Sequence, residues 1–334
     1  MLGLVFGLTA LAVVGCSSDP STGGPSVDAG SDAHSDPEDA GLGDGGVTDS
    51  GPSDSGPTDS GPTDSGPSDS GPVDSGPKDG GPTDAGATSS GGSGGLTCVS
   101  TGQVVAGRSY CQVHIGSVDV RFIEPNGGTG PLNLALYIHG DGAGAYNSGS
   151  VFKSLIQWAD DHHALVAAVL APNGCAWWQP PAHDCNSSTQ ERDLQHQNAV
   201  ALDAAIKGLR AAYDISNSPV FYYGSSGGSI FLTASFLPRY GAQYPGAFAI
   251  NCGGEKPWDG QLSWDPSQTG GTQLFFTYGD ADYLAQDSHD TFLYYQSLGF
   301  PVYETVLTPN IQHCAFDGHG RAAEVWNQYL DEGI

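Results

Sequence analysis

The sequence predicts an α/β domain with a mainly parallel central sheet and helices on both faces, preceded by a disordered low-complexity linker. Apolar runs of strand length alternate with segments of helical periodicity from residue 113 onwards, which is typical of such a sheet. Residues 17–95 consist mostly of Gly, Pro, Ser and Asp and contain no aromatic residue. Residues 96–334 therefore form the predicted folded part, and they are numerous enough for one large domain.

Residues 1–16 have the features of an export signal. The run from Leu2 to Val14 is apolar but too short to span a bilayer as a helix, which fits the hydrophobic region of a signal peptide. It ends in Val-Val-Gly-Cys at Cys16, which resembles the bacterial lipobox and implies that Cys16 is lipidated. No Lys or Arg precedes the run, and the alternative is a buried apolar helix with an incidental cysteine. We expect export and lipid anchoring to the cell envelope, at the outer membrane or cell surface.

Residues 17–95 are interpreted as a tether. An Asp-Ser-Gly-Pro unit recurs every five residues from Asp49 to Pro77. Proline removes backbone donors, glycine adds chain entropy and the aspartates repel one another, so this segment cannot bury enough apolar area to fold. Calcium binding is the alternative, but carboxylates at this spacing lack the density of a calcium loop.

The charge balance excludes one class of partner. The chain has 10 Lys and Arg against 37 Asp and Glu, for a formal net charge of −27. Phosphate recognition needs clustered Lys and Arg, so we expect no nucleic-acid partner. About half of the negative charge falls in residues 17–95, so the folded part is moderately acidic.

The elements of the domain follow from their hydrophobic patterns. Residues 132–138 and 164–171 are nearly continuous apolar runs, as in strands covered on both faces. A helix over 191–213 is predicted from helical spacing of Leu194, Val200, Leu202, Ile206 and Leu209. The other predicted strands are 113–123, with a partner around 103–105, 219–223, 248–250, 274–278 and 302–307, and the other predicted helices are 151–161, 229–237, 291–298 and 322–330.

A candidate nucleophile lies where a predicted strand meets a helix. Gly224-Ser225-Ser226-Gly227-Gly228 matches the G-x-S-x-G pattern, in which small neighbours let a sharp turn expose a serine hydroxyl. This register makes Ser226 the nucleophile, and the N–H of Gly227 at the helix N-terminus would stabilise an oxyanion. The alternative is a Gly/Ser turn that fits the pattern by chance.

These residues carry a resemblance to the α/β-hydrolase superfamily, and within it to the secreted esterase and polyhydroxybutyrate-depolymerase-like group, over about residues 112–332. The family places an oxyanion turn after an early central strand, and the segment from His139 to Gly144 is similar to its H-G-x-x-x-G turn. The resemblance implies that the N–H of Asp141, or alternatively of Gly142, is the second oxyanion donor. It also implies that His139 braces the turn rather than takes part in catalysis.

The resemblance also implies the order Ser, acid, His along the chain. Gly279-Asp280-Ala281-Asp282 follows a predicted strand and resembles the family's G-x-x-D turn, which implies Asp282 as the acid and leaves Asp280 as the alternative. His313 and His319 follow the last predicted strand. His313 is the predicted base, and His319, which adjoins the last helix, is the alternative; the Gly that the family usually has before this His is Gln312 here.

Cysteine usage agrees with export. Without Cys16, six cysteines remain, and an exported domain is expected to pair them. Local spacing suggests Cys98–Cys111 and Cys175–Cys185, which leaves Cys252–Cys314. A bond at Cys314 would hold the loop that carries His313. A zinc site is the alternative, but no C-x-x-C spacing supports it.

Aromatic residues in two predicted loops are candidates for substrate binding. Trp177 and Trp178 follow a strand end, and Trp258 lies in the connection after strand 248–250, together with Trp264. Such rings suit sugars, aryl groups or a polymer surface, and the alternative is that they pack small loop cores.

The sequence therefore predicts a serine hydrolase of carboxylic esters that needs no metal or organic cofactor. The expected substrates are extracellular esters or polymers, such as polyhydroxyalkanoate or acylated polysaccharide, and a monomer is expected. A serine peptidase on the same fold and a non-catalytic surface-binding lipoprotein are the alternatives.

Overall fold

The computed structural model describes residues 89–102, 107–184, 190–268 and 271–332. The predicted signal with Cys16, most of the predicted linker and the predicted strand at 103–105 lie outside the described residues. The described part is a single mixed sheet with helices on both faces, which confirms the predicted α/β fold with a mainly parallel sheet.

The central strands are parallel and the first three are antiparallel. In the described residues the strand order is β1-β2-β3-β5-β4-β6-β7-β8-β9, and β4 to β9 pair in parallel. The carboxyl ends of the parallel strands therefore meet at one edge, where ligands bind in open α/β sheets. The strands are β1 Ser100–Thr101, β2 Cys111–Ile115, β3 Val118–Ile123, β4 Leu132–Ile138, β5 Ala164–Val169, β6 Ile215–Ser225, β7 Gly246–Asn251, β8 Gln273–Gly279 and β9 Val302–Leu307.

Two apolar layers cover the sheet. Alternate residues of β4 point to opposite faces. Leu134 and Leu136 belong to the apolar layer that includes the helix Gln197–Ala212, whereas Ala135 and Tyr137 belong to the layer of the helices Ser150–Asp161 and Gly318–Asp331. The α-helices are α1 Gly144–Ser148, α2 Ser150–Asp161, α3 Gln197–Ala212, α4 Gly227–Phe231, α5 Leu237–Tyr240, α6 Ala285–Ser297 and α7 Gly318–Asp331. A π-helical turn, Leu232–Phe236, joins α4 to α5.

The prediction of a single strand over 113–123 is wrong. The structure has two antiparallel strands there, β2 and β3, which turn back at Gly116. Gly116 has a φ of 60°, a left-handed conformation that glycine adopts without a Cβ penalty. The apolar residues on both sides of the turn conceal it in the sequence.

The helix predicted over 191–213 begins later, at Gln197. The Asp193 carboxylate accepts the N–H of Asn198 at 2.8 Å and so satisfies a free donor of the first turn. Leu194 and Val200, predicted on the apolar face, are 61% and 54% exposed. The buried face is formed instead by Leu202, Ile206 and Leu209, with alanines between them.

Residues 89–95, which the sequence assigned to the linker, lie against the domain. Ser90 N–H donates to the carbonyl of Ile215 at 2.8 Å, and Gly95 N–H donates to that of Ala212 at 2.8 Å. Gly91 N–H donates to Asp214 Oδ1, also at 2.8 Å. These hydrogen bonds join this segment to the folded domain.

The described helices contain no segment both long and apolar enough to cross a membrane.

Candidate active site

Ser226 occupies a strained turn between β6 and α4. Its φ of 50° and ψ of −118° lie in a region that residues with a side chain rarely adopt, which costs on the order of 1–3 kcal/mol. The turn is sharp enough that a Cβ on Gly224 would lie 2.8 Å from the Cα of Ser229. Glycine at this position lets β6 and the helix approach closely, and the Ser226 hydroxyl projects at the carboxyl edge of the sheet.

A chain of hydrogen bonds joins Ser226 to His313 and Asp282. Ser226 Oγ lies 2.8 Å from His313 Nε2, and His313 Nδ1 lies 2.8 Å from Asp282 Oδ1. The Asp282 carboxylate only accepts, so Nδ1 carries the proton and Nε2 is left to accept from the serine. Asp282 is buried, and its Oδ1 also accepts the N–H of Leu284 at 2.8 Å, which holds the carboxylate in place.

The two alternative residues have other partners. Asp280 Oδ1 accepts the N–H of Ile311 at 2.9 Å, so this carboxylate fastens the loop before His313. Hydrogen bonds from the backbone of Ile311 and Asn310 lower the pKa of Asp280. The His319 ring packs between Tyr137 and Tyr223 at the start of α7, and burial lowers its pKa. In the described residues neither Asp280 nor His319 bonds to Ser226 or His313.

The turn after β4 lies next to the elbow. A Cβ on Gly140 would be 3.3 Å from Ser226 Cβ, so this turn and the serine are in close approach. Gly142 N–H donates to the carbonyl of Cys175 at 3.0 Å and is therefore committed to the neighbouring loop. This leaves the N–H of Asp141, with that of Gly227, as the pair of candidate oxyanion donors.

His139 is locked beneath this turn. Its Nδ1 lies 2.7 Å from the carbonyl of Gly140, and its Nε2 accepts the N–H of Ala171 at 3.0 Å. The ring is buried, and burial lowers the pKa of His139 to about 4. A neutral ring protonated on Nδ1 satisfies both partners and connects the turn to the end of β5.

Two of the predicted cysteine pairs lie at bonding distance. The Cα atoms are 5.3 Å apart in Cys98–Cys111 and 5.2 Å apart in Cys252–Cys314. The second bond joins the end of β7 to the residue after His313. Cys185 lies outside the described residues, so its predicted bond to Cys175 stays a prediction.

One group in the described residues has the spacing of a metal site: Cys252, His313 and Cys314. The disulfide occupies both sulfurs, and His313 already bonds to Ser226 and Asp282. These residues therefore do not fit a metal while the disulfide is formed.

The three candidate tryptophans differ in position. Trp177 is fully buried against Phe231, so its predicted contact with substrate is wrong; the loop turns its ring into the core. Trp178 is 8% exposed and lies at the site, where its Nε1 donates to Asp141. Trp258 packs against the cluster of Cys175, Ala176 and Trp178 and lines another cleft, with Glu255 and Asp287, whose lining does not include Ser226.

Two cavities flank Ser226. The larger, of about 390 Å³, is lined by Tyr137, Gly140, Asp141, Gly144, Ala145, Ser225, Ser226, Tyr283, His313 and Cys314. The smaller, of about 150 Å³, is lined by Asp141, Trp178, Gln190, Arg192, Ser226, Gly227, Ile230, Tyr283 and Leu284. A covalently attached acyl group and a departing alcohol would need two such spaces on either side of the serine.

Tyr137, Tyr283 and Arg192 are among the residues of these walls that sequence reasoning missed. Tyr283 is 74% exposed, and its ring centroid lies 4.4 Å from that of His313. Its position directly after Asp282 is a signal that could have identified it. Tyr137 looks like an ordinary strand residue in the sequence, and Arg192 approaches through loop packing that leaves no sequence pattern.

Comparison with known proteins gives likenesses of fold. No protein-family model matches the chain, and no curated protein matches it. A thermostable esterase is 15% identical with a TM-score of 0.49, over 67% of this chain and 62% of its own. The carboxylesterase of Bacillus cereus is 17% identical with a TM-score of 0.47, over 64% of this chain and 94% of its own.

An acylaminoacyl peptidase of Pyrococcus horikoshii is 11% identical with a TM-score of 0.46, over 67% of this chain and 41% of its own. This chain thus spans less than two thirds of the peptidase and of the thermostable esterase. At these identities the likeness concerns the fold, and the chemistry of this chain has to follow from its own residues.

Proposed function

We propose that this protein is a serine hydrolase that cleaves carboxylic esters through an acyl-enzyme. The observation that carries the proposal is the hydrogen-bonded chain from Ser226 Oγ through His313 to Asp282, with both distances at 2.8 Å. A strained serine, a base within reach of its proton and a buried carboxylate that orients the base are the parts of a catalytic triad.

The geometry supports the following order of events. His313 Nε2 takes the proton of Ser226 Oγ as the oxygen attacks the ester carbonyl carbon, and the same nitrogen returns that proton to the departing alcohol. Water then enters, gives its proton to Nε2 and attacks the acyl-enzyme, which releases the acid and restores Ser226. Asp282 keeps the Nδ1 proton in place and stabilises the imidazolium that forms in each step.

Two backbone N–H groups would bind the carbonyl oxygen as it gains charge. Gly227 N–H lies at the start of α4, and Asp141 N–H lies in the turn that His139 braces. Donors fixed before the reaction need no reorganisation when the oxyanion forms, and one such donor is worth about 3–4 kcal/mol of barrier.

Hydrolysis of a short-chain p-nitrophenyl ester by the purified protein tests the proposal. Wild type should release p-nitrophenol, and the rate of release by Ser226→Ala should be lower by at least about a thousandfold. Ser225→Ala, which removes the adjacent hydroxyl, is the matched control and should keep most of the activity. Equal rates in wild type and Ser226→Ala would defeat the assignment.

The substrate class is proposed more broadly, as extracellular esters or ester polymers such as polyhydroxyalkanoate or acylated polysaccharide. The open cavities at Ser226 support access for a large substrate. Acetyl, feruloyl and hydroxybutyrate esters, tested beside peptide substrates, would separate an esterase from the peptidase alternative. A fluorophosphonate that fails to label the folded protein would favour the binding-protein alternative.

Export and anchoring through a lipid on Cys16 remain part of the proposal, as does a monomeric state. The lipobox-like sequence supports anchoring. Mass spectrometry of the N-terminal peptide from an expressing bacterium should show a lipid on Cys16, and Cys16→Ser should release the protein from the membrane fraction. An unmodified Cys16 in the membrane fraction would contradict it.

A further inference from the structure

The Asp141 side chain stands between the two cavities at Ser226. Trp178 Nε1 donates to both of its carboxylate oxygens, at 2.9 and 3.0 Å. A Cβ on Gly227 would collide with Asp141 Oδ1, so the carboxylate lies directly over the first residue of α4. The side chain of Asp141 is thus fixed beside the reacting serine, independently of the role proposed for its backbone N–H.

Asp141 is the one residue with a carboxylate among the described residues that line the larger cavity. The residues that line this cavity include no Lys or Arg, and its other titratable groups are His313, Tyr137 and Tyr283. Arg192 approaches from the smaller cavity, where it stacks on Trp178 at 4.9 Å and its Nε donates to Glu255 at 3.0 Å. The guanidinium is thus paired with Glu255 on the side of the smaller cavity, although its charge still acts on Asp141.

Two tyrosine rings complete the wall around this charge. Tyr137 and Tyr283 both line the larger cavity, and the Tyr283 ring is largely exposed. A carboxylate attracts an organic cation, and an aromatic ring adds to the attraction wherever the cation can reach its face. The same carboxylate repels an anionic group that enters the cavity.

The cleft around Asp141 desolvates its carboxyl group although the residue as a whole is exposed. Burial raises the pKa of Asp141, while the bond from Trp178 and the charges of His313 and Arg192 act in the opposite direction. The test of this charge is therefore made at about pH 8, well above the ordinary pKa of a carboxyl group.

We propose that Asp141 is a specificity-determining residue that selects esters carrying a positive charge, an amine or quaternary ammonium, in their alcohol part. This inference rests on the proposed esterase function and specifies the charge of the preferred substrate. The negative charge of the folded part favours the approach of the same esters.

Two esters of one shape test this selection. Acetylcholine carries the trimethylammonium group, and its uncharged isostere has a tert-butyl group in that place. Hydrolysis of each is followed as acid release at about pH 8 and low salt. Wild type should show a higher kcat/KM for acetylcholine, by roughly fivefold, and Asp141→Asn should bring the two esters close to parity.

Asp287→Asn is the matched control, since it removes the same charge from the separate cleft that Trp258 lines. This variant should keep the wild-type preference, and added salt should weaken that preference in wild type. Because asparagine can still accept from Trp178, Asp141→Asn keeps the local packing, and p-nitrophenyl acetate reports whether the variant is active at all.

The outcomes separate the two proposals. No preference in wild type, an unchanged preference in Asp141→Asn, or hydrolysis of p-nitrophenyl acetate with neither isostere cleaved would overturn the role of Asp141. A wild-type protein that hydrolyses none of the esters would overturn the proposed function itself.

Discussion

Asp280 and Asp282 lie two residues apart after the same strand, and they do different things. Asp282 bonds to His313, whereas Asp280 bonds to the backbone of Ile311. The sequence favoured Asp282 through a turn pattern but left Asp280 open, because a choice between them depends on where the loop of His313 lies. That position is set by packing across the sheet edge and has no local signal.

This difference gives a paired prediction. Asp282→Asn should lower kcat by about a thousandfold or more, because asparagine no longer fixes the Nδ1 proton of His313 or stabilises the imidazolium. Asp280→Asn should change kcat by less than about threefold. Both are measured with a p-nitrophenyl ester, and a larger loss for Asp280→Asn would reverse the assignment of the acid.

His139 predicts how stability depends on pH. Burial lowers its pKa from 6.5 to about 4, so the neutral ring is preferred in the folded state. The stabilisation is complete above about pH 6.5, decreases as the pH falls towards 4, and amounts to about 3 kcal/mol in all. Denaturant unfolding across this range should show the loss, and His139→Gln should flatten this part of the slope.

A second measurement keeps the His139 prediction testable if that variant does not fold. The NMR titration of the His139 ring in wild type should have a midpoint well below the ordinary value for histidine. A midpoint near 6.5 would contradict the proposed neutral brace.

In helix α3, the residue at which the helix begins and the residues that it buries both differ from the prediction. Leu194 lies outside the helix, and Val200 lies on its exposed side, although both fit an apolar spacing. Asp193, which lies before the helix, accepts the N–H of Asn198 in the first turn, and the N-cap residue His196 has a left-handed conformation. The sequence thus predicted that a helix exists but not its start, and it included two exposed residues in the apolar face.

The corrected face of α3 predicts unequal costs of truncation. Ile206→Ala should lower the free energy of unfolding by about 2–5 kcal/mol because it leaves a cavity in the core. Val200→Ala should change it by less than about 0.5 kcal/mol, since Val200 is exposed and alanine favours helix. Urea unfolding checks the pair, and equal losses would contradict the register of α3.

The two disulfides are expected to differ in their effect on activity, because only Cys252–Cys314 holds the loop that carries His313. Cys252–Cys314 closes a separation of 62 residues and Cys98–Cys111 one of 13, so chain entropy assigns them about 4 and about 3 kcal/mol. Serine replacement of Cys252 and Cys314 should also lower kcat by about tenfold, because the base, His313, loses its fixed position.

Serine replacement of Cys98 and Cys111 is the control and should leave kcat unchanged. Both double variants are assayed well below their unfolding temperatures. The same kcat in the two would show that the bond beside His313 does not position the base.

For the whole molecule, the parallel strands at the centre of the sheet could be predicted from the sequence, whereas the antiparallel strands β2 and β3 could not. Strands β4 and β5 are buried on both faces, so their apolar runs mark them in the sequence. Strands β2 and β3 are partly exposed, and only Gly116 marks the turn between them. The motifs gave Ser226, Asp282 and His313, whereas the cavity walls depend on loops packed from distant parts of the chain.

The contacts of residues 89–95 predict where the domain can be shortened. A chain that starts at residue 96 loses the hydrogen bonds of Ser90, Gly91 and Gly95 to residues 212–215, where α3 ends and β6 begins. It should be less stable than a chain that starts at residue 89, by about 1–3 kcal/mol. Thermal unfolding of the two chains compares them directly, and equal midpoints would place the boundary at residue 96.

The most direct test of the proposed mechanism is covalent labelling with a fluorophosphonate followed by peptide mapping. Wild type should carry one adduct, on Ser226 and not on Ser225, and the adduct should form far more slowly in His313→Ala because the serine has lost its base. A folded wild-type protein that remains unlabelled, or an adduct that forms equally fast without His313, would contradict the assignment of this serine and its base.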